Sequence, residues 1–356
     1  MQNFLNENRN SRLIQSYDEY NITTQDPLKN YRKGLKSNFT VRAKYIIPSV
    51  SQIFYIPRYG YLSQIIATIT LTSSMAENPQ ELLALRLFES IILQTERGQK
   101  PLQVINGHYI YMRIQNTEPI LRQRILNGLD PQSFGLYYLP LYFFFNEDEK
   151  SFLNTEGLEK LQIKFIMNPA SVYLLNGLLT SFNISLNCEY YKYQDQLTNY
   201  NFVRSMTNLT VVDSNKNLKD IILQNPNDIC AIHFFLYSKT TAQYWPISSY
   251  QLQVGYKVLN FVNTFTDYSL YQEEQLVNTD VIKSYVIGTH MDRKNNNLFF
   301  NLREQNLFLT IVPQGTLPAG YNTYIIYEFY QYVDFTEREH HKDSQWFSER
   351  IVDVAT

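Results

Sequence analysis

A stretch of twelve residues occurs twice in this chain, and that repeat limits the possible folds more than any other feature. Residues 182–193, FNISLNCEYYKY, and 321–332, YNTYIIYEFYQY, align without a gap. Asn183/Asn322, Glu189/Glu328, Tyr191/Tyr330 and Tyr193/Tyr332 are identical, and Phe182/Tyr321, Leu186/Ile325 and Tyr190/Phe329 are similar. Each copy follows a shorter alternating run, Leu161-x-Ile163-x-Phe165 or Leu307-x-Leu309-x-Ile311, and then a loop containing Pro169 or Pro313. The order of strand, loop and long aromatic strand is therefore the same in both halves, which predicts two related β domains. A length of 356 residues suits two domains better than one.

The rest of the chain agrees with a β reading. Runs rich in Ile, Val, Tyr, Phe and Thr, bounded by Asn, Gly, Pro and Asp, predict strands at 53–56, 62–72, 136–145, 161–166, 178–193, 229–237, 252–262, 307–312 and 321–333. Strands at this spacing suggest sandwiches or barrels. Helix signals are few. Asn146 is a good N-cap for a short acidic turn running through Phe152 and Leu153, and residues 271–286 form a second helical candidate. At 78–93 an Asn78-Pro79 helix start competes with the alternation of Leu83, Leu85, Leu87, Ile91 and Leu93, and turn followed by strand is the reading taken.

The ends differ from the middle. Residues 1–45 carry Arg9, Arg12, Lys29, Arg32, Lys33, Lys36, Arg42 and Lys44 against Glu7, Asp18, Glu19 and Asp26, a locally basic arm. Beyond residue 334 acids dominate, with little apolar patterning before Trp346. The expected division is an arm at 1–45, a first β domain at 46–197, a second at 198–335 and a tail at 336–356. The basic residues Arg9, Arg12, Lys29, Arg32, Lys33 and Lys36 suit an anionic lipid surface, packaged nucleic acid or a plain solvated terminus. Phe4-Leu5 and Leu13-Ile14 supply only a thin apolar stripe, so any membrane contact of this arm is expected to be peripheral.

Charge and chemistry narrow the function. A net charge of −2 supplies no global field for nucleic acid, so no specific nucleic-acid partner is expected. Cys188 and Cys230 are the only cysteines and do not form a Cys-x-x-Cys pair, which fits folding in a reducing compartment. The N-terminus has no apolar signal core, and no run approaches the roughly 18 apolar residues of a membrane span. His108, His233 and His290 lack metal-ligand spacing, and adjacent His340 and His341 point to opposite sides of an extended chain. There is no Gly-x-Ser-x-Gly elbow or P-loop, and 12 Gly leave little material for phosphate-cradling loops. Cys188 sits in an aromatic strand as a small core residue. Asp148, Glu149, Glu156 and Glu159 read as a solvated face rather than the carboxylate pair of a glycosidase. No catalytic residue, cofactor or metal is expected, and the chain is not read as an enzyme.

Uncharged polar residues and aromatics, 29 Tyr and 22 Phe against 18% charged residues, make a surface suited to being covered by neighbours. Together with Leu136-Tyr-Tyr-Leu-Pro-Leu-Tyr142, the acidic Asn146-Glu-Asp-Glu149 segment, Leu161-Gln-Ile-Lys-Phe165, Tyr193-Gln-Asp-Gln-Leu197, Leu307-Phe-Leu-Thr-Ile-Val312 and Tyr327-Glu-Phe-Tyr-Gln-Tyr332, this pattern resembles the double jelly-roll viral major capsid proteins. The tectivirus type of membrane-containing icosahedral bacteriophages is the branch it looks most like. The passage from Leu136 to Phe165 resembles the strand F to strand G passage of that family's first jelly roll. The resemblance implies an all-β chain of two fused eight-stranded jelly-roll β-sandwiches with a few short helices. It further implies a homotrimer forming a pseudo-hexagonal capsomer of an icosahedral shell, with neighbouring capsomers and minor capsid or vertex proteins as partners. A virion location, assembly in the host cytoplasm and an arm facing an internal viral membrane follow from the same resemblance. The alternative is a carbohydrate-binding or receptor-binding β-sandwich of a minor capsid or spike protein.

Overall fold

A computed structural model describes residues 35–46, 51–71, 83–97, 101–115, 119–129, 136–146, 152–156, 158–168, 182–192, 202–206, 210–212, 218–223, 228–241, 243–254, 257–262, 281–286, 300–301 and 306–332. In chain order the first half contains β1 (Leu35–Ile46), β2 (Gln52–Tyr55), β3 (Tyr61–Leu71), α1 (Leu83–Arg86), β4 (Phe88–Thr95), β5 (Gln103–Ile105), α2 (Gly107–Gln115), α3 (Pro119–Leu129), β6 (Leu136–Pro140), β7 (Leu153–Asn154), β8 (Leu161–Met167) and β9 (Phe182–Lys192). The second half contains β10 (Phe202–Met206), β11 (Thr210–Val212), β12 (Ile221–Leu223), β13 (Asp228–Ser238), β14 (Gln243–Trp245), β15 (Ile247–Val254), β16 (Lys257–Val262), β17 (Ile282–Val286), β18 (Phe300–Asn301), β19 (Leu307–Pro313) and β20 (Asn322–Tyr332).

The same wiring is used twice. The first half forms one sheet in the order β1-β9-β3-β6 and a second in the order β2-β8-β4-β5. The second half matches these with β20 between β10 and β13, with β17 pairing β13, and with a partner sheet β12-β19-β15-β16. Every pairing among the described residues is antiparallel. Lettering the main strands B to I, each half is a B-I-D-G sheet facing a C-H-E-F sheet, the eight-stranded jelly roll. The chain is two fused jelly rolls. The sequence repeat lands on strand I of each, β9 and β20, and each copy pairs strand D of its own half, β3 or β13.

Local chemistry explains the strand faces. Along β9, Phe182, Ile184, Leu186, Cys188 and Tyr190 are buried while the residues between them are partly open, the alternation of a sheet with one packed face. Tyr190 completes its burial by donating its hydroxyl to the Pro57 carbonyl at 2.5 Å. Phe54, Phe88 and Phe165 of the opposite sheet meet in tilted and edge-on contacts, the geometry aromatic quadrupoles favour. In the second roll Ile232, Phe234 and Leu236 of β13 pack on Tyr250, Leu252, Leu309, Ile325 and Tyr327.

Several sequence expectations need correction. Residues 35–45, expected in the arm, lie in β1 against β9, because their alternating Phe39 and Val41 cover the edge of that sheet. Residues 252–262 are not one strand but the end of β15 and all of β16, paired as a hairpin across residues 255–256. Residues 282–286 of the second helical candidate form strand β17; positions 271–280 lie outside the described residues. Residues 83–86 are a helical turn before β4 rather than turn alone, and 136–145 ends as a strand at Pro140 before a 3₁₀ turn at Phe144–Asn146. The passage from Leu136 to Phe165 joins strands G and H, since β6 and β8 are the sixth and seventh main strands. Of the acidic turn expected from Asn146 through Leu153, residues 147–151 lie outside the described residues, and its expected end is not helical, since Leu153 pairs with β3 as part of strand β7. The tail at 336–356 also lies outside the described residues.

Candidate functional site: the seam between the two jelly rolls

The two rolls share buried surface. Phe235, Tyr237, Ile282, Tyr324 and Ile326 belong to the second roll, yet their side chains are packed into the core cluster of the first. By strand alternation they occupy the outer face of the second B-I-D-G sheet, opposite the face that Phe234, Leu236 and Ile325 turn to their own core. That outer face is covered by the first roll.

Helix α2 presses on it. Asn106 caps the helix, its Oδ1 accepting the Tyr109 backbone N–H at 2.9 Å. Gly107 follows because the backbone of α1 passes so close that a Cβ here would overlap the Leu85 carbonyl oxygen. The close approach carries His108 and Tyr111 to the second roll. The His108 ring lies 4.8 Å from Phe235, 4.7 Å from Tyr237 and 5.8 Å from Tyr324, centroid to centroid. His108 Nδ1 and the Tyr244 hydroxyl are hydrogen-bonded at 2.6 Å, while Tyr111 stacks on Tyr244 at 5.5 Å and 15°. Phe235 and Tyr324 stack at 5.4 Å and 8°.

The electrostatics follow from this enclosure. Burial, then the nearby Arg86 and Lys239 charges, lowers the His108 pKa from 6.5 to about 3, so the imidazole is neutral at pH 7. Burial pushes the Tyr244 hydroxyl well above its ordinary range and that of Tyr324 up to about 12. A cavity of about 580 Å³ opens beside these rings, lined from both rolls by residues including Arg86, His108, Tyr111, Tyr237, Lys239, Tyr244 and Tyr324.

A second polar group sits farther along the same outer face. His233 Nδ1 is hydrogen-bonded to Ser284 Oγ at 2.8 Å, and its Nε2 lies 3.3 Å from Glu328 Oε1. The order serine, histidine, carboxylate is that of a hydrolase triad. Here Ser284, His233 and Glu328 are 6%, 3% and 2% exposed and line no part of the seam cavity, so no substrate reaches the hydroxyl. Three neighbouring strands, β20, β13 and β17, are cross-linked by it instead.

The residues singled out from sequence fall elsewhere. Lys36 lies on β1 opposite Tyr191, and Arg9, Arg12, Lys29, Arg32 and Lys33 are outside the described residues. Cys188 is buried, and burial raises its thiol to about 12, which makes it an inert core residue. Glu156 and Glu159 remain partly exposed; Asp148, Glu149, His290, His340 and His341 lie outside the described residues. Among the described residues no three His, Cys, Asp or Glu side chains are grouped to hold a metal ion. Sequence reasoning missed His108 and its tyrosines. The available signal was the apolar run of β13, Ile229 to Tyr237, interrupted only by His233, which marks a strand buried on both faces.

The fold defined by this paired wiring is the double jelly roll. Solved structures with the same fold include the capsid of the virus PBCV-1, with a TM-score of 0.64 at 12% identity over 83% of this chain and 94% of that one. The Faustovirus major capsid protein is similar at a TM-score of 0.59 and 7% identity over 84% and 90% of the two chains. The major capsid protein P2 of bacteriophage PM2 is similar at 0.51 and 12% over 84% and 98%. No family model and no curated protein matches the sequence.

Proposed function

We propose that this chain is the major capsid protein of an icosahedral virus, a structural subunit that closes a shell with copies of itself. The observation that carries the reading is the seam. Two jelly rolls of the same wiring share a buried aromatic face, so the pair behaves as one block with two similar halves. Likeness to capsid proteins over almost their whole length supports the same reading. Three such blocks around an axis present six similar lobes, which makes a pseudo-hexagonal homotrimer the natural capsomer. Its further partners are neighbouring capsomers and minor capsid or vertex proteins. Its place is the virion, after assembly in the host cytoplasm.

The basic arm is assigned to the inner surface of the shell. Arg9, Arg12, Lys29, Arg32 and Lys33 would meet an anionic internal membrane there, each contributing about 1 kcal/mol near the headgroups, whereas Lys36 belongs to β1 rather than to the arm. Light scattering and negative-stain imaging of the purified chain test the assembly. Threefold particles with a hexagonal outline are the expected outcome; a 42.1 kDa monomer at all concentrations would overturn it.

A further inference from the structure

The seam cavity has the properties of a ligand site. Its volume of about 580 Å³ lies within the roughly 300–1,000 Å³ of small-molecule pockets, and it sits at a boundary between two domains, where such pockets concentrate. Aromatic rings from both rolls form much of the wall. The walls also include Arg86 and Lys239 against the single carboxylate of the exposed Glu89, so cationic charge is in excess at the lining. Tyr324, one of the lining residues, is 0% exposed, and its buried hydroxyl has no hydrogen-bond partner in the structure.

We infer that the cavity between the two jelly rolls binds a small amphiphilic anion, an aromatic or aliphatic body ending in a carboxylate, sulfonate or phosphate. The apolar body lies along Tyr111, Tyr237 and Tyr244, and the anionic end faces Lys239 and Arg86. The neutral His108 offers a ring wall rather than a competing charge. A molecule bound here touches both rolls at once and so ties their relative orientation to its presence.

Fluorescence titration of the purified full chain tests this, with anilinonaphthalene sulfonate as the anionic probe and uncharged phenylnaphthylamine as its control. One saturable sulfonate site per chain is expected. Lys239→Gln, at an exposed position, should weaken the sulfonate about tenfold, the scale of one charge-assisted hydrogen bond, and leave the neutral probe unchanged. Val104→Trp narrows the cavity and should weaken binding of both; Ser90→Trp narrows it from another wall if the first variant does not fold. Absence of saturable binding, sulfonate binding indifferent to these changes, or equal weakening of both probes by Lys239→Gln would each overturn the assignment. The titration is read on the soluble chain, so its outcome is independent of whether that chain assembles.

Discussion

The two copies of the repeated strand share position, partners and direction but not surroundings. On the outer face of β9, Ser185, Asn187 and Glu189 are partly open, and Asn187 joins a polar ladder by donating to Thr68 Oγ1 at 2.7 Å and accepting from Thr40 at 2.9 Å. At the aligned positions of β20, Tyr324, Ile326 and Glu328 are buried. The neighbouring strands differ in the same way: Thr68 of β3 pairs Ser185, whereas Phe235 of β13 pairs Tyr324. The inward positions of both copies are buried and mostly apolar or aromatic, as each roll needs for its own core, although no inward residue is identical between them. On the outward face Asn183/Asn322 and Glu189/Glu328 are identical, but Ser185 and Asn187 give way to Tyr324 and Ile326, because the second sheet is covered by the first roll while this face of β9 is partly open.

That contrast is open to direct attack. The largest difference is expected between Phe235→Ala and Thr68→Ala. Removing the fully buried ring should cost about 3–5 kcal/mol, while the half-open threonine should cost about 1 kcal/mol, both read from urea denaturation midpoints. Equal losses would mean that the seam contributes no more than an ordinary sheet surface.

Next come the two aligned glutamates. Glu189 accepts hydrogen bonds from Ser63 and from Tyr191, each at 3.3 Å, on a partly open face. Glu328 is buried beside His233, so Glu328→Ala strands a polar group and should cost about 3 kcal/mol, against about 1 kcal/mol for Glu189→Ala. Melting curves of the two variants, measured side by side, give the comparison.

The seam histidine supplies a pH signature that the first sheet lacks. The folded pKa of His108 is depressed, so the unfolded chain binds more protons below the ordinary value of 6.5. Its contribution is complete above that pH and is lost as pH falls toward about 3. His108→Gln should therefore flatten the fall in melting temperature between pH 6.5 and about 3 relative to the unaltered chain. Parallel curves would show that the imidazole titrates as freely in the fold as outside it. The smallest effect is expected at Tyr324→Phe, which removes a hydroxyl without a partner and leaves the stack on Phe235. Stability without ligand should change by less than about 1 kcal/mol, toward greater stability, in calorimetry.

Much of the fold was legible because strands with one packed face announce themselves by alternation. The buried face of β9 reads directly from Phe182, Ile184, Leu186, Cys188 and Tyr190, and the repeat located its counterpart. Other elements were hidden for identifiable reasons. The helices α2 and α3 have start signals in Asn106 and Pro119, but the buried residues of α2, Tyr109, Ile110, Met112 and Ile114, lie on several sides, while α3 exposes Ile120 and Leu121, so neither keeps a clean apolar period. Strand β1 lies inside a basic stretch whose charge was the stronger signal. The hairpin of β15 and β16 reads as one apolar run because periodicity does not register a tight reversal.

The candidate site was less legible than the fold. His108 is far in sequence from Tyr244 and Tyr324, and no spacing rule connects residues that meet only when two domains dock. The same holds for Ser284, His233 and Glu328, which three separate strands bring into one row.

By itself, then, the sequence determined that there are two related β units, which strands close them and which faces point inward, since alternation and repetition are local properties of the chain. Only the tertiary structure decided what the outward faces do. Whether Glu189 or Glu328 is open or buried depends on what packs above the strand; Ser185 and Asn187 against Tyr324 and Ile326 register the difference, but not the domain that causes it.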